Sequence, residues 1–285
     1  MENRKATRIV RGRDAVDGAG VRLRRVLGLE TAKAFDPFLM LDGFDSADPA
    51  DYVRGFPWHP HRGLETVTYL LQGEMEHGDN LGHRGVIRSG ECQWMTAGSG
   101  IIHQEMPAPA ERMLGCQLWL NLPARHKMAK PSYRGITAAD IPVVREENAT
   151  VRIIAGGYGG KRADDGRYVR MRYIDVDLKP GAVWTNSDAA NDETVFAYLF
   201  DGALEPFGAR GYEERGCAIL FTAGDKDASR HDAVSVKAGP EGARFALLSA
   251  RPLGEPVAWG GPVVMNTQAE LEEAFRELDN GTFIR

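Results

Sequence analysis

The sequence predicts an all-β protein: two barrel or sandwich domains in tandem, with a helix near the C-terminal end. Three observations predict it. Across 285 residues, 33 Gly and 15 Pro punctuate short runs rich in Val, Ile, Leu, Tyr and Trp, and many short strands at regular turn spacing make a barrel or a sandwich. One stretch of the first half recurs in the second. A single segment carries clear helical spacing.

Taken in order, Arg4, Lys5, Arg8, Arg11 and Arg13, then Arg22, Arg24 and Arg25, read as a solvated strand face. Residues 66–71 (Thr-Val-Thr-Tyr-Leu-Leu) form a β-branched and apolar run. In residues 116–122, Gln117, Trp119 and Asn121 share one strand face while Cys116, Leu118, Leu120 and Leu122 share the other. A polar stretch with Pro131, Gly135 and Pro142 follows, with Ala138-Ala139-Asp140 as a weak helix candidate; it reads as a connection between domains. Residues 173–178 alternate polar and apolar, as a half-buried strand does. The helix starts at Asn266 or Thr267, repeats Leu271, Ala274, Phe275 and Leu278, carries Glu270, Glu272 and Glu273 early, and stops before Gly281. The expected division is a domain over 1–123, a connection over 124–150 and a domain over 151–285.

The repeat supports two domains. Glu65-Thr66-Val67-Thr68-Tyr69-Leu70-Leu71-Gln72-Gly73 recurs as Glu193-Thr194-Val195-Phe196-Ala197-Tyr198-Leu199-Phe200-Asp201-Gly202 with one inserted residue, each a strand running to a Gly turn. Counting back from Glu193, the places of His61 and His59 hold Ala189 and Ser187. The second half contains one histidine, His231.

A net charge of −5 and a pI near 5.9 give no global basic footprint for nucleic acid. Cys92, Cys116 and Cys217 lack CxxC spacing, which argues for a reducing compartment and inert buried thiols. The N-terminus has no apolar signal segment, and no run is long enough to span a bilayer, so the expectation is a cytoplasmic chain without a membrane partner.

The chemistry concentrates in His59-Pro60-His61 and His103-Gln104-Glu105. Residues two apart on a strand face the same way, so each string delivers two donors side by side. Three imidazoles and a carboxylate suit Fe(II), Mn, Ni, Cu or Zn, and on an octahedral ion they leave positions open for reaction. Glu65 is in phase with His59 and His61, so periodicity alone does not choose between Glu65 and Glu105; a bulge at Arg62-Gly63 would throw Glu65 out of register. His77, His83, His126 and His231 read as surface or loop histidines, and Gly98-Ser99-Gly100 as a tight turn that places His103. Phe38, Met40, Phe56 and Met95, with Gln117, are the candidate lining of a pocket for an aromatic ligand.

His59-x-His61-x-x-x-Glu65, with Gly73 beyond it, resembles the first cupin motif, and Gly90 through Gly98, Gly100 and His103 resembles the second. More specifically, Phe35-Asp36-Pro37-Phe38-Leu39-Met40-Leu41-Asp42, the string Phe56-Pro57-Trp58-His59-Pro60-His61-Arg62-Gly63, residues 93–107 and Gly261-Pro262-Val263-Val264-Met265-Asn266-Thr267 are similar to the pirins. Trp58 departs from the family pattern. The resemblance implies a bicupin whose C-terminal helix packs back on the N-terminal barrel. It also implies one divalent metal, Fe(II) foremost, in that barrel alone, on His59, His61, His103 and Glu105. Glu65 then becomes a neighbour of the ligands, bonded to Arg62 or to an imidazole.

Two functions follow from the resemblance. One is a quercetinase-type dioxygenase that opens a flavonol with O2, with Glu105 or Glu65 as the base. The other is a regulatory module that binds a transcription factor or a metabolic enzyme in a metal-dependent way, for which Glu270, Glu272, Glu273 and Glu277 offer an acidic face. A bicupin that covers one barrel with the other is expected to be a monomer.

Overall fold

The computed structural model describes residues 2–222 and 232–284. Apart from two short 3-10 turns and one helix, its regular elements are strands, and the strands pair antiparallel. Among the described residues, no helix is long and apolar enough to cross a membrane. The chain divides into two compact units that interlace in sequence: one holds Asp14–Ala32, Phe38–Ala138 and Leu253–Arg285, the other Met1–Arg13, Lys33–Pro37 and Ala139–Pro252.

The first unit is built on two main sheets, with a two-stranded ribbon of Ala258–Gly260 and the C-terminal strand Val263–Met265 beside them. Its seven-stranded sheet runs in the order Ser132–Ile136, Cys92–Thr96, Leu64–Gln72, Met113–Asn121, Phe38–Ser46, Val21–Leu27 and Arg13–Asp17. Its four-stranded sheet runs Phe56–His61, Ile101–Ala108, Glu74–Asp79 and Arg84–Arg88. Period-2 alternation carries the division of faces: in Ile101–Ala108 every second residue from Ile101 is buried and those between are half-buried. The Gln268–Asp279 helix belongs to this unit and buries Leu271, Ala274 and Glu277. Phe275 lies outside that stripe, 37% exposed, with its ring over Gly260.

The second unit is a nine-stranded sheet, with a short ribbon of Gly157–Tyr158 and Lys161–Arg162, around an apolar core that includes Val151, Ile153, Ile174, Val176, Val195, Leu199, Phe245 and Leu247. Its longest strands, Thr194–Pro206 and Val234–Ala250, pair along their length with irregularities near residues 199–204. Gly202 sits at one of them, inside a strand and not at its end as the repeat suggests.

Several expectations change. Residues 1–13 are not part of the first unit, because Ala6–Arg11 pairs with Cys217–Phe221. The polar connection contains two strands, Ser132–Ile136 and Val143–Arg145, one in each unit. Residues 138–140 are a turn, since Ile141 precedes Pro142 and that position disfavours helical backbone. Arg4 is buried: its guanidinium donates to the carbonyls of Ala190 and Thr222. His231 lies outside the described residues.

Candidate metal centre

The Phe56–His61 and Ile101–Ala108 strands pair antiparallel with His59 opposite His103 and His61 opposite Ile101. His59 and His61 therefore share a face, and His103 joins them from the next strand. The ring centroids are 4.3 Å apart for His59–His103, 4.8 Å for His59–His61 and 5.1 Å for His61–His103. One donor nitrogen from each of the three lies within 4.8 Å of the others.

The hydrogen bonds select the tautomer. His59 Nδ1 donates to the Pro57 carbonyl at 2.8 Å and His61 Nδ1 to the Pro262 carbonyl at 3.2 Å, which leaves both Nε2 lone pairs available to an electrophile. His103 is fully buried, and neither ring nitrogen has a partner among the described residues. A buried imidazole left so is costly in the bare protein and satisfied by a metal bond. Burial also holds His61 down to about 3 and His103 well below its ordinary value, so both stay neutral, the form that coordinates. The three histidines thus fit a divalent ion.

Glu105, two residues past His103, is buried too, but its carboxylate is drawn toward the opposite sheet. Oε1 accepts from Thr68 Oγ1 at 3.3 Å and Gln93 Nε2 at 3.2 Å, and Oε2 accepts from Gln117 Nε2 at 2.8 Å. Gln117, Thr68 and Gln93 are direct neighbours across three adjacent strands, so the sheet presents them as one row of donors.

A family model described as Pirin matches residues 20–120, and one described as Pirin C-terminal cupin domain matches residues 173–284. A pirin-like protein of Caulobacter vibrioides is 43% identical over 99% of this chain and 100% of its own length. The chain belongs to the pirin family. This pirin is also 42% identical to a Pseudomonas aeruginosa protein provisionally named a quercetin 2,3-dioxygenase, over 95% of this chain and 94% of the relative. Among solved structures, a quercetin 2,3-dioxygenase from Acinetobacter baumannii matches with a TM-score of 0.86 at 30% identity, covering 99% of the pirin and 98% of that chain. Both barrels of the bicupin fold are therefore present.

Glu65 does not join the pirin's histidines. Gly63, at φ +78°, turns the chain between the four-stranded sheet and the Leu64–Gln72 strand of the other sheet. On that strand Glu65 is three residues from Thr68, hence on the opposite face. Its Oε1 accepts from Thr96 Oγ1 at 2.6 Å, neither Arg62 nor an imidazole takes part, and burial raises it above the ordinary carboxylate range.

His77 is the histidine the sequence reading misplaced. It is buried, its ring 5.4 Å from that of His103 and stacked on Tyr133 at 4.4 Å. Gln93 Nε2 lies 3.3 Å from its Nδ1, and Asp79 Oδ2, bonded to His83 Nδ1 at 2.8 Å, lies 3.5 Å from its Nε2. The signal was available: Met75, His77 and Asp79 alternate with Glu74, Glu76 and Gly78, so His77 shares the face of the buried Met75.

Of the pocket candidates, Met40 and Met95 pack with Leu39, Leu64, Ile101 and Trp119 in one apolar cluster. Trp119, seen in the sequence only as a face-mate of Gln117, stands edge-on to His61 at 5.0 Å. Gln117 borders the site through Glu105. Phe56 packs elsewhere, in a cluster with Phe44 and Leu70, and Phe38 is fully buried but belongs to neither cluster. His59 is half-buried and the neighbouring Trp58 is 54% exposed, so this edge faces solvent.

Proposed function

We propose that this pirin is a metal-dependent dioxygenase of the quercetinase type, opening a flavonol-like substrate with O2. The observation that carries the reading is the His59, His61 and His103 cluster, with the Nε2 lone pairs of His59 and His61 free and Glu105 two residues past His103 on its strand. The likeness to proteins named quercetin 2,3-dioxygenase supports the substrate class.

In this reading the three histidines hold one divalent ion, Fe(II) first, with Mn, Ni, Cu and Zn accepted by the same donors. The ion, when bound, supplies Lewis acidity that lowers the pKa of an acidic hydroxyl on the substrate. Glu105 takes the proton of that hydroxyl on a carboxylate oxygen, with ligation of the ion as its second capacity. Gln93, Thr68 and Gln117 hold that carboxylate in place, since each donates to one of its oxygens. Met40, Met95 and Trp119 supply apolar wall beside His61 for a flat ring system and limit water there. Glu65 has no part in the chemistry, because it faces the other way.

Of the four helix acids behind the regulatory reading, Glu270, Glu272 and Glu273 are exposed, each already engaged in a local contact. Glu270 is spent on the N-cap, Glu277 is buried, Glu272 accepts from Gln268 and Glu273 pairs with Arg276.

Aerobic turnover of quercetin, followed by loss of flavonol absorbance and release of carbon monoxide, tests the proposal. The protein is reconstituted with each of the five metals beside a His61→Ala control. Turnover with at least one metal, abolished in the control, is expected. Stoichiometric metal binding with no turnover by any ion would remove the dioxygenase reading and bring the regulatory one forward.

A further inference from the structure

His59 and His61 are oriented in different ways. The carbonyl that holds His59 is two residues away, but the one that holds His61 belongs to Pro262, 201 residues further along. One donor of the cluster therefore takes its ring orientation from the C-terminal segment.

Arg62, the next residue, is the means by which that segment is held. It is 2% exposed. Its Nε donates to the Ser99 carbonyl at 2.7 Å, in the turn that leads to His103. One terminal nitrogen pairs with Glu277 Oε2 at 2.6 Å, the other donates to the Phe283 carbonyl at 2.7 Å, and the guanidinium lies 4.1 Å over the Phe283 ring. The backbone adds a short parallel bridge: Val264 N donates to the Arg62 carbonyl at 3.0 Å and Arg62 N to the Pro262 carbonyl at 3.4 Å. A single fork thus spans the corner after His61, the turn before His103, the helix and the tail.

We propose that Arg62, Glu277 and the Pro262 carbonyl are positioning elements of the metal centre, so that the C-terminal helix sets metal affinity. This rests on the metal-holding part of the proposed function and not on its substrate. Releasing Glu277 frees one prong of Arg62, lets the 261–264 segment drift, and takes from His61 the acceptor that fixes its tautomer. Partners of this kind are worth roughly tenfold to a hundredfold in metal affinity.

The experiment compares wild type, Glu277→Gln and Arg62→Lys, with Val151→Ala as a control that loosens the core of the other unit. Co(II) and Zn(II) dissociation constants are measured by competition with a chromophoric chelator, with the visible spectrum of the Co(II) form and the thermal midpoint of the metal-free form. Glu277→Gln and Arg62→Lys are expected to weaken binding at least tenfold and to change the Co(II) spectrum, while Val151→Ala lowers the midpoint and leaves both metal readouts alone. The proposal is overturned if either clamp variant, folded, binds with wild-type affinity and spectrum, or if Val151→Ala weakens binding equally. Wild type that binds neither ion would instead defeat the metal reading itself. Absence of quercetin turnover leaves these measurements unaffected, which keeps the two failures apart.

Discussion

Lys127 shows what a buried charge costs in this fold. It is 3% exposed, and its ammonium donates to the carbonyls of Gly63 and Val264 and to Asn121 Oδ1, one acceptor for each of its three protons. Burial pushes it from 10.5 down to about 7, against the opposing pull of Glu255 and Glu270. The unfolded chain keeps the higher value, so between about pH 7 and 10.5 the unfolded state binds more protons and stability rises with pH. The slope reaches at most roughly 1.4 kcal/mol per pH unit. Below pH 7 both states are protonated and the contribution is flat. Urea unfolding from pH 6 to 10 should show this rise in wild type and lose it in Lys127→Met; equal slopes in the two proteins would contradict the assignment. At this scale the sequence discloses what is local. The spacing of His59, His61 and His103 is visible because a strand repeats every two residues. The Arg62–Glu277 pair is not, because its members are 215 positions apart and Glu277 reads as part of an acidic, solvated helix face.

Among the elements, the corner at Gly63 separates the two sheets and takes the C-terminal strand against it. A Cβ there would lie 1.9 Å from the Val264 carbonyl oxygen, and φ is +78°. Gly82 has a similar φ of +86° with nothing within 4 Å. Gly82→Ala should cost only the backbone penalty, about 1–2 kcal/mol, and Gly63→Ala clearly more, about 3 kcal/mol or above, because the clash adds to it. Chemical denaturation of the two variants measures the difference, and equal losses would mean that the Val264 contact yields freely. The helix N-terminus was legible to within one residue: of Asn266 and Thr267 it is Thr267 that caps, its Oγ1 accepting from Glu270 N while Glu270 Oε2 accepts from Thr267 N. Its buried face was legible only in part. The stripe runs through Leu271, Ala274 and Glu277 and leaves Phe275 on its flank, since what a helix buries depends on the partner it meets.

For the molecule as a whole, the duplication was readable in the two related strands, and so was the confinement of the histidine cluster to one copy. The interlacing of the units was not, because strand exchange across 200 residues leaves no local mark. A metal that binds only the first unit stabilises it by about 2.7 kcal/mol at a free concentration a hundredfold above Kd. Hydrogen exchange should therefore slow on metal addition in Phe56–His61 and Ile101–Ala108, revert with chelator, and stay unchanged in Met171–Leu178. Uniform protection of both units would contradict a site confined to one.

The Pro262 carbonyl also places the site in time. A growing polypeptide emerges from its N-terminal end, and His59, His61 and His103 are made long before residues 253–283. The second unit has all its segments once Pro252 has appeared, whereas the first still waits for its two closing strands, its helix and the acceptor of His61. If the proposed clamp sets metal affinity, full-affinity loading waits in biosynthesis until residues 253–283 have left the ribosome, and a chain stalled before that point holds three histidines without the acceptor of His61.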